Sequence, residues 1–251
     1  MGSVVFRWSL VLLAALAVSC APAKKQAPSS DARYHYLMGA SALNENNPTD
    51  ALREFLLAEK IDKDDAEIQA GLAESYLRKK AYDKSEIHYL RALVLSDGEP
   101  KYHNNLGALY LSMGRYDAAA GHFEAAASNL LFDRPEVAWT GAGFARFLQS
   151  DYPAAERAYL KAVNTTPRYF QSYFRLGELY YAQNRPAEAI EQLNRALQLA
   201  PNFAEGHYWL GLTYMRIDKT DLAKSSFKQV LKLAPESESA RLAKKYLDLL
   251  K

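Results

Sequence analysis

A small residue recurs along this chain at Gly39, Ala73, Gly107, Gly143, Gly177 and Gly211, in steps of 34, 34, 36, 34 and 34 residues. A period of that length argues against one closed core, because each unit is then a supersecondary piece that buries its apolar side only by stacking on its neighbours. Twelve positions after each stands a second small residue: Ala51, Ser85, Ala119, Ala155, Ala189 and Ala223. A third series runs Ala58, Ala92, Ala126, Ala162 and Ala196, ending on Val230. Helix axes at the near end of the usual separation leave little volume between them. The first two series therefore mark where two helices of one unit cross, and the third where the second helix meets the next unit. Phe55, Tyr89, Phe123, Tyr159, Leu193 and Phe227 stand one turn beyond the second series and form the interior. On the first helix Leu72, Leu106, Leu176 and Leu210 precede the small residue, while Tyr76, Tyr110, Tyr180 and Tyr214 follow it on the same apolar face. Pro167, Pro201 and Pro235 sit between units, where a missing amide proton stops the second helix.

Three series in one phase resemble the tetratricopeptide repeat (TPR), a pair of antiparallel helices. The resemblance covers residues 32–237 as six units, 32–65, 66–99, 100–133, 136–169, 170–203 and 204–237. It implies an all-α fold, a right-handed superhelical solenoid of six helix pairs. Residues 238–251 place Leu242, Tyr246, Leu249 and Leu250 on one helical face, which predicts a capping helix over the last pair. Repeat four carries Ala142 and Arg146 where Leu and Tyr are expected, which predicts looser packing of its first helix.

Ahead of the repeats, one positive side chain in Met1 to Arg7 is followed by the apolar run Trp8 to Val18, too short to span a bilayer. Residues 1–19 read as a signal peptide. They lead into Ala17-Val18-Ser19-Cys20, which resembles the bacterial lipobox, with Ala17 where leucine is usual. The resemblance implies lipidation of Cys20, and Ala21 in place of Asp implies sorting to the outer membrane, with the repeats in the periplasm. Cys20 is the only cysteine, so it has no disulfide partner within the chain. Residues 20–31, poor in apolar side chains and interrupted by Pro22 and Pro28, read as a lipidated cysteine with its tether.

Lys+Arg of 31 against Asp+Glu of 29 leaves a net charge of +2, far from the concentrated basic field that nucleic acid requires. His35, His103 and His207 share the fourth repeat position, and His88 and His122 share a second-helix position. Equivalent places in separate repeats lie too far apart for one metal site, so these histidines read as structural filler and no metal or cofactor is expected. No nucleophile elbow, phosphate-binding loop or zinc-protease motif is present, so neither catalytic residues nor a small-molecule substrate are expected.

In the TPR family the inner surface is lined by positions two, five, nine and twelve of each first helix. Repeats one and two place Arg33, Tyr36, Glu67, Ala70, Glu74 and Leu77 there, a mixed set. Repeats four to six place Phe144, Phe147, Phe174, Tyr181, Tyr208, Leu212 and Met215 there, fringed by Gln171, Glu178 and Glu205. That concentration predicts an apolar protein-binding groove, since aromatic and methionine side chains accept an apolar helix or an extended segment. Asn104 and Asn105 are similar to the asparagines with which chaperone-binding TPRs clamp a C-terminal carboxylate, but Val137 and Thr140 stand where basic partners would be needed.

The run His103-Asn104-Asn105-Leu106-Gly107, then Gly114-Arg115-Tyr116, then the two-residue lengthening at Phe132-Asp133-Arg134-Pro135 look like the third-to-fourth repeat junction of the type IV pilus pilotin family. That resemblance implies a non-catalytic scaffold that binds secretin subunits and aids their assembly in the outer membrane. Adaptors of cell-wall hydrolases or of barrel assembly share the lipoprotein plan. An enzyme on this scaffold would need acidic or histidine residues converging in the groove.

Overall fold

The computed structural model describes residues 30–250, so Cys20, the signal peptide and the tether up to residue 29 lie outside the described residues. Ser30 and Asp31, read above as the end of the tether, instead open the first helix, where Asp31 meets the positive end of the helix dipole. The chain then runs through α1 (Ser30–Asn44), α2 (Pro48–Ile61), α3 (Ala66–Arg78), α4 (Tyr82–Leu95), α5 (Pro100–Ser112), α6 (Tyr116–Ala127) and α7 (Pro135–Leu148). It continues through α8 (Tyr152–Thr165), α9 (Phe170–Ala182), α10 (Pro186–Leu199), α11 (Ala204–Arg216), α12 (Thr220–Leu233) and α13 (Glu238–Leu249). Each helix packs on the next, and odd helices also touch odd helices: α1 on α3, α5 on α7, α7 on α9, α9 on α11 and α11 on α13. The result is a solenoid of six helix pairs and a closing helix, with the odd helices along one face.

Local chemistry sets the helix ends. Pro48, Pro100, Pro135 and Pro186 open their helices at a position whose amide has no intrahelical acceptor. Pro167, Pro201 and Pro235 each fall two residues beyond the end of α8, α10 and α12. Between the two helices of every pair one residue takes the left-handed conformation: Asn46, Lys80, Gly114, Ser150, Asn184 and Asp218, with φ of 56°, 59°, 72°, 62°, 58° and 56°. Glycine, Asn and Asp tolerate it, whereas Lys80 carries the clash between its Cβ and its own backbone. Lys80→Asn is therefore expected to stabilise the protein by about 0.5–1 kcal/mol. A denaturation midpoint at or below that of the wild type would remove this explanation.

The third small series, Ala58, Ala92, Ala126, Ala162 and Ala196, is fully buried, and so is Val230. The first small series does something the spacing alone did not suggest. A Cβ on Gly177 would meet Leu193 at 2.6 Å, while the Ala189 carbonyl stays at 3.4 Å, so the glycine seats the large residue rather than the second small one. Phe55 lies between two such seats, with added Cβ atoms at Gly39 and Gly71 falling 2.9 and 2.4 Å from its ring. Phe123 lies likewise between Gly107 and Gly141, at 2.7 and 2.8 Å.

Two expectations are corrected. α7 is not loosely packed: Ala138, Ala142 and Ala145 are fully buried, and Arg146 reaches Asp117 of α6 at 2.9 Å. In α13 the buried face is built on Ala240 and Ala243, with Tyr246 stacked on Phe227 at 5.3 Å and Leu250 packed beside it. Leu249 instead faces solvent, because at 100° per residue it lies well away from the face defined by Ala243, Tyr246 and Leu250.

Candidate functional site

The odd helices bring the aromatic set of repeats four to six onto one face, but much of that set is engaged within the protein. Phe174 is buried, packed edge-on against Phe203 at 4.9 Å, which corrects its assignment to a free groove. Arg175 lies over the ring of Phe144 at 4.2 Å and pairs with Glu178 at 2.6 Å. Burial raises the Glu178 pKa, and Arg175 opposes that rise. Tyr181 packs edge-on against Trp209 at 5.3 Å, with the Arg216 guanidinium 3.6 Å from its ring centre. Phe147 lies against Tyr152, while Tyr208, Leu212 and Met215 pack toward Phe227 and Tyr246. Burial first, then Tyr246 beside it, pushes the Tyr208 hydroxyl pKa up to about 12. Phe144, Phe147, Tyr181, Tyr208, Leu212 and Met215 remain half-exposed along this face.

Open space appears where the side chains are small. A hollow of about 290 Å³ lies between α1, α3 and α5, with Ala40, Ala70 and Gly71 leaving the room and Tyr36, Leu43 and Phe55 walling it. Its rim is charged in both signs. Glu67 faces Arg33 at 3.4 Å and Lys101 at 3.8 Å, and Glu74 is held by Arg78 at 2.7 Å and by the Tyr89 hydroxyl at 2.9 Å. Tyr102, buried beside the hollow, has no hydrogen-bond partner for its hydroxyl. Neither have the buried side-chain oxygens of Asn104 and Gln171. Asn105 lines the hollow itself.

Two further patterns tie the repeats together. The Tyr110 hydroxyl donates to Glu86 at 2.8 Å, and Arg115 donates to the same carboxylate from beside that ring. Tyr180, Glu156 and Arg185 reproduce the arrangement two repeats later. Burial, and then the acceptor carboxylate, push both tyrosines up to about 12. The histidines also converge, which reading each series separately did not reveal. The fourth position meets the second-helix position nineteen residues on: His35 with Glu54 at 2.8 Å, Gln69 with His88 at 2.7 Å, and His103 with His122 at 3.0 Å. Burial lowers the pKa of His88, His103 and His122. The signal was present in the constant nineteen-residue separation. Among the described residues, no three His, Cys, Asp or Glu side chains gather as a metal site.

A stack of helix pairs with a hollow on its inner face is the architecture of a helical-repeat binding scaffold. The chain belongs to the tetratricopeptide-repeat proteins: family models described as tetratricopeptide repeat match residues 36–100, 103–137, 158–191 and 204–237, and one described as TPR repeat matches 178–218. Among solved structures it is similar to pilF of Pseudomonas aeruginosa, at 18% identity and a TM-score of 0.73, over 88% of this chain and 98% of that one. It is similar too to PilW, described as a widely conserved type IV pilus biogenesis factor, at 16% identity and a TM-score of 0.76, over 85% and 98% of the two chains. At those identities the likeness is one of fold. Among curated proteins, human Protein O-mannosyl-transferase TMTC3 is 24% identical over 200 residues, 74% of this chain, and the chain spans only 22% of that protein's length. None of the helices in the described residues is long and apolar enough to cross a membrane.

Proposed function

We propose that this chain is a non-catalytic protein-binding scaffold held at the outer membrane by lipid on Cys20, and that its partner is a secretin whose assembly it aids in type IV pilus biogenesis. The observation that carries the binding reading is the hollow between α1, α3 and α5. From there the binding face continues along the odd helices over Phe144, Phe147, Tyr181, Tyr208, Leu212 and Met215, with Phe174 as buried support. The pilus assignment is favoured by the His103 to Pro135 junction and by a fold likeness that runs through 98% of both the pilF and PilW chains.

Two measurements on the full chain test this reading. Cys20→Ser is expected to move the protein out of the outer-membrane fraction and to reduce secretin multimers in the membrane, because stable anchoring needs more than one acyl chain and all of them depend on this residue. Mass spectrometry of the mature N-terminus finding an unmodified thiol would remove the anchor. Failure of the wild type to retain secretin in a co-purification would remove the partner, and retention of a cell-wall hydrolase or a barrel-assembly component instead would install the adaptor reading.

A further inference from the structure

We propose that His103 and His122 form a two-nitrogen chelate for a divalent transition-metal ion that prefers right-angled coordination, copper(II) or nickel(II). The Nδ1 atoms of the two imidazoles lie 3.0 Å apart, with ring centres 5.1 Å apart and planes inclined at 36°. Metal–imidazole bonds of about 2.0–2.1 Å drawn from both nitrogens to one ion close at an angle of about 90°. A tetrahedral ion would spread the same nitrogens to about 3.4 Å, whereas about 90° suits square-planar and tetragonal ions. His103 stands on α5 and His122 on α6, so the ion would bridge the two helices of the third repeat.

Without metal, the protonated Nδ1–H of one ring donates a hydrogen bond to the bare Nδ1 of the other. Binding needs a lone pair on both. The donating ring moves its proton to its own Nε2 through solvent, which half-burial of both rings permits, and the ion then takes the place of the shared proton with no net proton released. The neighbours leave the site to the two histidines. Glu86 of α4 lies close enough to act on His122 electrostatically, but its carboxylate is engaged by the Tyr110 hydroxyl and Arg115. Tyr110 meets His122 through its ring, at 5.3 Å. The equivalent pairs differ in kind. In repeat two, Gln69 offers His88 an amide carbonyl, held in that orientation by its amide donating to Glu59 and to the Lys63 carbonyl. In repeat one, the Glu54 carboxylate beside His35 is shared with Arg53 at 3.6 Å.

Repeat two also supplies the test variant, because His103→Gln installs its Gln–His pair in repeat three and keeps a hydrogen bond to His122. The chelator-treated full chain and this variant are titrated with Ni2+ by calorimetry, and their melting is followed with and without Ni2+. The wild type is expected to bind one ion with a rise in melting temperature, since an ion that binds only the native state stabilises it. The variant is expected to bind about tenfold or more weakly and to lose the rise, with metal-free melting unchanged. Pulsed paramagnetic resonance of the Cu2+-loaded wild type is expected to show two equatorial imidazoles. One imidazole in that spectrum, or equal Ni2+ affinity in wild type and variant, overturns the proposal. If His103→Gln fails to fold, His122→Gln takes its place and the wild-type spectrum decides independently.

Discussion

Replacing Phe123 by alanine is expected to lower the unfolding free energy by about 3–5 kcal/mol, the range for removing a buried aromatic ring. The ring is 4% exposed and lies between Gly107 on α5 and Gly141 on α7. Neither glycine has a side chain that can collapse into the vacancy, so the cavity term should be retained in full. Since that ring joins repeats three and four, its loss should also weaken their coupling, and in a solenoid weakened coupling broadens the transition or divides it. Denaturant unfolding followed by far-ultraviolet dichroism and by tyrosine fluorescence would show both effects. A cost below about 1 kcal/mol, the size of a surface substitution, would mean that the ring is not the joint described here.

Ala70→Trp should weaken partner binding at least tenfold while leaving the fold intact. Ala70 is one of the small residues that leave the hollow between α1, α3 and α5 open, and an indole there occupies the space a bound segment would use. Ala70 is half-buried on the inner face, so the larger side chain has the hollow to enter and melting should change little. Affinity for purified secretin is expected to fall at least tenfold, equivalent to about 1.4 kcal/mol. Val94→Lys, on an α4 position 79% exposed and away from the hollow, serves as the control and should bind as the wild type does. Unchanged affinity in Ala70→Trp would remove the hollow as the seat of binding. If Tyr181→Ala or Met215→Ala then proved to weaken binding, the aromatic set would take its place.

The period and the three small series sufficed for the stacked helix pairs, because crossing distance limits residue size at the same place in every unit. The left-handed turn column was less legible, since Lys80 and Ser150 carry none of the Gly, Asn or Asp signal of its other members. The packing of the inner face was less legible than its membership. Counting large apolar residues found Phe174 and Tyr208, but a large residue can fill a space as readily as line one, and Phe203 and Tyr246 occupy their surroundings. A hollow depends on what is missing, and Ala40, Ala70 and Gly71 carry no large side chain for such a count to register. The histidine pairs were missed for a related reason: each column was compared with itself from repeat to repeat, whereas the contact lies between two columns of one repeat.

The rings seated on paired glycines bear on how such an array can change length. Phe55 rests on Gly71 of the second unit and Phe123 on Gly141 of the fourth, while the same place in units three, five and six holds Asn105, Arg175 and Trp209. Recombination that excised the second unit alone would bring Phe55 against Asn105, where its flat seat is gone. Excision of units two and three together would bring Phe55 onto Gly141 and restore it. Losses that begin at the second unit are thus expected to be tolerated as a doublet of repeats rather than singly.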